Sequence, residues 1–164
     1  MAGSTSKRVL VARFDRAAVK GFINPQTWLG KDGIEVLTPE GSLTRVPYVE
    51  VRYVCFVRDF DQPEPRREMR VFLARPKMSG LWVRLRLRDG ESLEGVMTND
   101  PLGWEPEGFS LVPPDPNYQN QRLFVPRAAI SEMHVLGVIG GAARKRSRKP
   151  EPGGQLEMFN DQTV

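Results

Sequence analysis

The segment Val83–Gly90, with the sequence Val-Arg-Leu-Arg-Leu-Arg-Asp-Gly, decides the fold class. Its apolar residues alternate with arginines, and this period of two predicts a strand with one buried face. Asp89-Gly90 is the strongest short-range signal of a two-residue hairpin turn. The apolar pattern resumes at Leu93–Val96, so we expect the return strand of a β-hairpin there.

The chain contains an internal repeat that extends this hairpin to a whole unit. Three pairs of segments correspond in the same order, namely Val9–Phe22 with Val83–Val96, Gly33–Val36 with Gly108–Leu111, and Val46–Val54 with Val125–Met133. Three ordered correspondences are hard to produce by chance. The chain is therefore expected to hold two copies of one β unit of about 55–60 residues.

The repeat predicts an all-β protein with five short strands in each unit. A Val-Pro pair is expected to end the fourth strand, because proline removes a donor from the ladder. The units are placed at residues 7–60 and 81–139, with a linker at 61–80 in which Met69–Ala74 is a candidate extra strand. Residues 140–164 are rich in Gly, Pro, Lys, Arg and polar residues, which predicts a disordered tail.

The composition is typical of a soluble globular protein, with 40% apolar and 27% charged residues in 164. A single cysteine, Cys55, excludes an intrachain disulfide and predicts a reducing, cytoplasmic setting. The net charge is +4, and residues 1–139 hold 19 basic and 17 acidic residues. This body therefore lacks the basic excess of a dedicated nucleic-acid binder. No segment has the length and apolarity expected of a membrane span or a secretory signal.

Two segments of the second unit resemble the motifs of Sm-like proteins, including bacterial Hfq. The alternation at Val83–Leu87, the Asp89-Gly90 turn and the following Leu93 and Gly95 resemble the first motif, and Phe124–Ile130 is similar to the second. The resemblance covers both repeats and implies two tandem Sm-like, five-stranded, strongly bent small barrels. Three shorter segments resemble a group of uncharacterised bacterial proteins, namely Phe56–Phe60, Gly80–Arg84 and Val135–Gly137.

The tail contains a short peptide whose sequence predicts a binding role. Its sequence Gln155-Leu156-Glu157-Met158-Phe159 resembles the Gln-Leu-x-Leu-Phe motif by which client proteins bind the bacterial DNA sliding clamp. That resemblance implies that Leu156, Met158 and Phe159 enter an apolar pocket while the Gln155 amide hydrogen-bonds at its rim. Methionine replaces leucine in the fourth place, and its flexible side chain suits such a pocket. The alternatives are that the segment docks on its own body or has no role.

Basic residues form two weaker candidate contacts with nucleic acid. One is a run in the tail, Arg144, Lys145, Arg146, Arg148 and Lys149, whose attraction to DNA is expected to be weak and to fall with salt. The other is the row Arg84, Arg86 and Arg88 in the first strand of the second unit. Such a row is more typical of the solvated face of a half-buried strand, here opposite Glu91 and Glu94 across the hairpin.

Signatures of catalysis are scarce. Cys55 and His134, the one cysteine and the one histidine, occupy the same repeat position, where a core thiol and a surface imidazole explain them better than a catalytic dyad. We therefore expect a non-enzymatic adaptor, without metal or cofactor, that docks on the sliding clamp in replication or repair. Two alternatives stay open: an RNA- or single-strand-binding module, and a protein-interaction module of unknown ligand. The oligomeric state is left open.

Overall fold

The computed structural model describes residues 5–61, 70–114 and 122–140, and this part of the chain is all-β. No helix in these ranges is long and apolar enough to cross a membrane. The strands in these ranges are β1 (Lys7–Arg13), β2 (Val19–Ile23), β3 (Gly33–Leu37), β4 (Leu43–Pro47), β5 (Val51–Phe56), β6 (Gly80–Leu87), β7 (Ser92–Met97), β8 (Gly108–Leu111), β9 (Arg122–Pro126) and β10 (Ile130–Ile139).

The strands form two antiparallel sheets that divide the second unit between them. The larger sheet has the order β4-β3-β2-β1-β5-β9-β8, and the smaller sheet has the order β10-β6-β7. An isolated bridge between Val96 and Val112 links β7 to the end of β8. The prediction of two tandem five-stranded barrels is therefore not confirmed. Within the described ranges neither sheet closes on itself, and β8 and β9 of the second unit extend the sheet of the first.

The two units share one strand register, as the internal repeat predicts. The equivalent cross-strand pairs are Leu10–Cys55 and Ala12–Tyr53 between β1 and β5, and Arg84–His134 and Arg86–Glu132 between β6 and β10. Each ladder also shifts register near the start of its last strand, which leaves Arg52 and Ser131 as the equivalent extra residues of a β-bulge. A shared irregularity of this kind shows that both units are built on the same plan.

The predicted hairpin joins β6 to β7. Gly90 has a φ of 90°, in the left-handed region that glycine adopts without steric cost. The Asp89 carboxylate accepts a hydrogen bond from the backbone N–H of Glu91 at 3.0 Å, which fixes the turn. The return strand begins at Ser92, one residue before the predicted position.

A Val-Pro pair ends the fourth strand of each unit, at Pro47 in β4 and Pro126 in β9. A three-residue 3-10 turn follows each proline, at Tyr48–Glu50 and Arg127–Ala129, and the last strand begins immediately after it. Proline has a fixed φ and no N–H, so the chain leaves the ladder at the same point in both units.

The central strands β5 and β9 have a separate core on each face. The first core lies in the first unit and contains Val9 and Val54, together with Phe124 of β9. The second core lies in the second unit and contains Leu123 of β9, together with Cys55 of β5. Because successive side chains of a strand point to opposite faces, each of these two strands contributes to both cores.

The described part of the predicted linker, residues 70–79, forms no strand. The candidate extra strand at Met69–Ala74 is therefore absent from residues 70–74, and Met69 lies outside the described residues. Instead this segment, which we call the strap (residues 70–79), lies on the outer face of the smaller sheet. Phe72 packs edge-to-face on Trp82 of β6, with ring centroids 6.2 Å apart.

Two equivalent glycines are required where strands approach closely, and their replacement is expected to destabilise the protein. A Cβ at Gly33 would lie 2.4 Å from the carbonyl oxygen of Val46, and one at Gly108 would lie 2.4 Å from that of Val125. We expect Gly33→Ala and Gly108→Ala each to lower the free energy of unfolding by roughly 1–3 kcal/mol, because backbone must move to relieve the clash. Urea unfolding monitored by circular dichroism measures this loss.

Gly137→Ala is the matched control, because its Cβ would meet only the Trp82 ring at an ordinary 3.7 Å. We expect a change within about 0.5 kcal/mol there. Equal losses in all three variants would contradict the close approach of β3 to β4 and of β8 to β9.

Candidate functional site

The peptide and basic run of the tail lie outside the described residues. This applies to the anchors Gln155, Leu156, Met158 and Phe159 and to the run from Arg144 to Lys149. The strand β10 ends at Ile139, and Gly140 is the last residue that the structure describes. Gln155 lies 15 residues after Gly140 in the sequence. The role predicted for the peptide stays a prediction.

The arginine row of β6 does not form one continuous basic face. Arg84 donates to the Glu94 carboxylate across the hairpin, with its Nη2 2.8 Å from Oε1. Arg86 lies 3.8 Å from Glu132, and both side chains are half exposed. Arg88 lies beyond the end of β6, where its guanidinium covers the Phe14 ring at 4.1 Å. Each arginine therefore has a different neighbour, and contact of this row with nucleic acid stays a prediction.

Glu94 is buried, with 2% of its surface exposed, and the expectation that it lies on a solvated face is wrong. Its Oε1 accepts from Arg84, and its Oε2 accepts from the indole N–H of Trp82 at 3.2 Å and from the backbone N–H of Phe72 at 3.0 Å. A buried carboxylate is tolerated when such donors surround it. Glu94 therefore fastens the strap to the smaller sheet.

Two further contacts of arginines hold the strap at its start and in its middle. Arg70 lies 3.3 Å from the Glu91 carboxylate beside the hairpin turn. Arg75 donates to the backbone carbonyl of Val138 in β10, at 3.3 Å. The strap therefore crosses the outer face of the smaller sheet from the β6–β7 turn towards the edge strand.

Cys55 and His134 have the environments of a core thiol and a surface imidazole. Cys55 is 1% exposed in the second core. His134 lies on the edge strand β10, 61% exposed at its side chain, with its Nε2 3.2 Å from the Glu132 carboxylate. Among the residues that the structure describes, no group of three or more His, Cys, Asp or Glu side chains could hold a metal ion.

Ionic and hydrogen-bonding groups join the two units beside the hairpin turn. Asp89 pairs with Arg52 of β5, and Arg88 donates to the backbone carbonyl of Val49. Partial burial of the Asp89 carboxyl opposes its ionisation, but the N–H of Glu91 and the Arg52 guanidinium outweigh this and hold its pKa below the usual value. The carboxylate is therefore charged at neutral pH and completes a polar contact between the units.

Tyr48 forms a polar contact within the first unit and feels a charge of the second. Its hydroxyl donates to the carbonyl of Gly30. Burial, together with the negative charge of Glu107 from the second unit, raises the pKa of Tyr48 to about 12. The hydroxyl therefore remains protonated, as its donor role requires, throughout the physiological range.

A series of cavities lies along one end of the strands. The inter-unit groove, a cavity of about 430 Å³, lies where β1 begins and β5 ends and is closed on the other side by β8 and β9. Its charged lining residues are Lys7, Arg8, Glu105 and Arg122. A neighbouring cavity of about 450 Å³ shares Ser110 and Arg122 with it, and a smaller one of about 180 Å³ shares Trp28.

The sequence interpretation did not find the inter-unit groove. Lys7 and Arg122 stand at the starts of strands in different units, and no local spacing connects them. They line the same groove because β9 pairs with β5, with Arg122 opposite Phe56. The groove therefore depends on the junction between the units.

Comparison with known protein families gives a match over most of the chain. Residues 5–137 match the model of a family described as a family of unknown function, DUF6982. The chain belongs to the DUF6982 family. No curated protein and no solved structure matches it.

The DUF6982 match contains both units, the strap and the inter-unit groove. It ends inside β10, before the basic run and before Gln155. The tail peptide therefore lies beyond the region by which the chain is assigned to DUF6982.

The role of Glu94 gives a prediction about stability. In Glu94→Gln, an amide NH2 replaces one acceptor oxygen. This NH2 must then face other N–H donors, either those of Trp82 and Phe72 or those of Arg84. We expect a loss of roughly 1–3 kcal/mol in the free energy of unfolding, because buried donors lose their acceptor. Urea unfolding measures this loss, and hydrogen exchange of the Phe72 amide should become faster.

Glu132→Gln is the control, because this carboxylate is half exposed and 3.8 Å from Arg86. Exposed pairs of this kind contribute about 0–1 kcal/mol. If Glu94→Gln costs no more than Glu132→Gln and leaves exchange of the Phe72 amide unchanged, Glu94 does not fasten the strap.

Proposed function

We propose that this DUF6982 protein is a non-enzymatic adaptor that docks on the bacterial DNA sliding clamp, in replication or repair. The observation that carries the proposal is the peptide Gln155–Phe159, which stands 15 residues after the end of the described body. A spacer of that length, rich in Gly and Pro, gives an extended peptide room to reach a partner surface. A few apolar anchors can then supply most of the binding energy.

The chemistry of the peptide suits a pocket on a folded partner. Leu156, Met158 and Phe159 supply three apolar side chains within four residues, and Gln155 supplies an amide that can both donate and accept. Burial of three such side chains contributes on the order of 5 kcal/mol before the ordering of the peptide is subtracted. Micromolar binding corresponds to about −8 kcal/mol, so the polar contacts of the peptide would have to supply the remainder.

The polar groups of the body support a binding role, because Glu94, Asp89 and Arg52 take part in structural contacts. Glu94 holds the strap, and Asp89 with Arg52 holds the two units together. These groups are engaged in structural contacts. The body would thus serve as a rigid platform that carries the tail.

We also propose that the units are related to the Sm-like fold. The order β4-β3-β2-β1-β5 in the first unit, the equivalent register in the second and the 3-10 turn between the fourth and fifth strands support this relation. The Val96–Val112 bridge supports a bent continuation from β7 to β8, as in the first unit from β2 to β3.

The proposal is tested by calorimetric titration of the full chain into purified bacterial sliding clamp. We expect a Kd on the order of micromolar. In the double variant Leu156→Ala/Phe159→Ala, affinity should fall more than tenfold, since hot-spot anchors cost roughly 2 kcal/mol or more each. The control Asn160→Ala/Gln162→Ala, just outside the peptide, should bind like the unmodified chain. Absence of heat at millimolar concentration, or equal loss in both double variants, would contradict clamp docking through this peptide.

A further inference from the structure

A candidate binding site lies in the body, and none of its lining residues belongs to the tail. We propose that the inter-unit groove binds a small organic anion that carries an apolar, planar body. The site would combine an apolar floor, mostly from the first unit, with a cationic rim to which both units contribute. It goes beyond clamp docking, because none of its residues belongs to the tail.

The size and shape of the groove suit one small molecule. Its volume of about 430 Å³ falls within the range of 300–1,000 Å³ typical of ligand sites. The groove is open to solvent and is bounded on one side by β8 and β9, which join the first unit through the pairing of β5 with β9. A ligand can therefore enter from solvent and still contact both units.

The floor of the groove is apolar and rigid. Trp28, Leu29, Phe56 and Val57 line it. The Trp28 ring packs edge-to-face on Phe56, with centroids 5.6 Å apart, and on Phe124 at 5.0 Å. Because the first core fixes Trp28 in place, little ordering is needed when a flat apolar group binds against this floor.

The rim of the groove carries more positive than negative charge. Lys7, Arg8 and Arg122 line it with one carboxylate, that of Glu105. Arg8 is positioned by a hydrogen bond from its Nη1 to the carbonyl of Arg58, at 3.0 Å. Within the described ranges no carboxylate forms an ion pair with Lys7 or Arg122, so both cations remain available to a ligand carboxylate, sulfonate or phosphate.

The positive charge is particular to this groove and is not a property of the repeat. In the register shared by the units, Lys7 and Arg8 correspond to Leu81 and Trp82. Arg122 at the start of β9 likewise corresponds to Leu43 at the start of β4. The three basic residues of this groove are therefore not repeated at the equivalent positions of the other unit's strands.

The charge balance favours a small anion over a nucleic-acid strand. Residues 1–139 hold 19 basic and 17 acidic residues, which is far from the broad basic surface that follows a phosphate backbone. Three cations around one cavity match a single anionic group with its attached apolar body. A strand would need further cations along its path.

The test uses the full chain and 2-naphthyl phosphate as the probe. Titration monitored by tryptophan fluorescence and by calorimetry should show saturable binding with one site. 2-Naphthol, which lacks the charge, and inorganic phosphate, which lacks the ring, should each bind at least tenfold more weakly. Binding of all three compounds with equal affinity, or no binding of naphthyl phosphate at millimolar concentration, would overturn the proposal.

The double variant Lys7→Gln/Arg122→Gln should weaken naphthyl phosphate binding at least tenfold. Arg86→Gln, which removes an exposed arginine away from the groove, should leave it unchanged. If the groove variant binds naphthyl phosphate with the affinity of the unmodified chain, the proposal is overturned. It is also overturned if a single-stranded 12-mer oligonucleotide binds tenfold more tightly than naphthyl phosphate and the groove variant no longer binds that oligonucleotide. These titrations do not depend on the tail peptide. A negative result here therefore leaves the clamp-docking proposal untouched, and a negative clamp titration leaves this one untouched.

Discussion

The pairing of β5 with β9 is the interaction on which the rest of the molecule depends. It places Val54 opposite Phe124 and Cys55 opposite Leu123, so alternate side chains of the same two strands enter different cores. Phe124 is fully buried although it comes from the second unit and packs in the first. A unit of this size is marginal alone, and the shared strands allow each to bury more apolar surface. The inter-unit groove also depends on this pairing, because Phe56 of β5 and Arg122 of β9 both line it.

The first unit contacts the second through one face of β1 and β5. The equivalent face of the second unit, on β6 and β10, has a different composition. The outer positions buried or half-buried against the second unit are apolar or aromatic in the first unit, namely Leu10, Ala12, Tyr53 and Cys55. At the equivalent positions the second unit has charged or titratable residues, namely Arg84, Arg86, Glu132 and His134. The strap covers part of this face and satisfies Glu94 there. The apolar face by which the first unit contacts the second is therefore not repeated in the second unit.

Local elements were predictable from the sequence, but the way in which they associate was not. The alternation at Val83–Leu87 and the Asp89-Gly90 turn act between neighbouring residues, and the structure contains the predicted hairpin. Either unit offers unpaired backbone at its edges, so alternation alone does not say that β9 joins β5. Glu94 does lie opposite Arg84, as predicted, but its burial comes from Phe72 and Trp82, and no pattern within β7 shows that coverage. The presence of Lys7 and Arg122 in the lining of one groove has the same non-local origin.

The measurement that tests this account most directly is native-state hydrogen exchange on the unmodified chain and on Phe124→Ala. Removal of the ring leaves a cavity in the first core and should cost roughly 3–5 kcal/mol. If the shared strands join the units into one cooperative body, exchange should become on the order of a hundredfold or more faster in β1 and β5 of the first unit as well as in β9. Unchanged protection in β1 and β5, with faster exchange confined to β6–β10, would show that the two units are stable independently and would contradict the account.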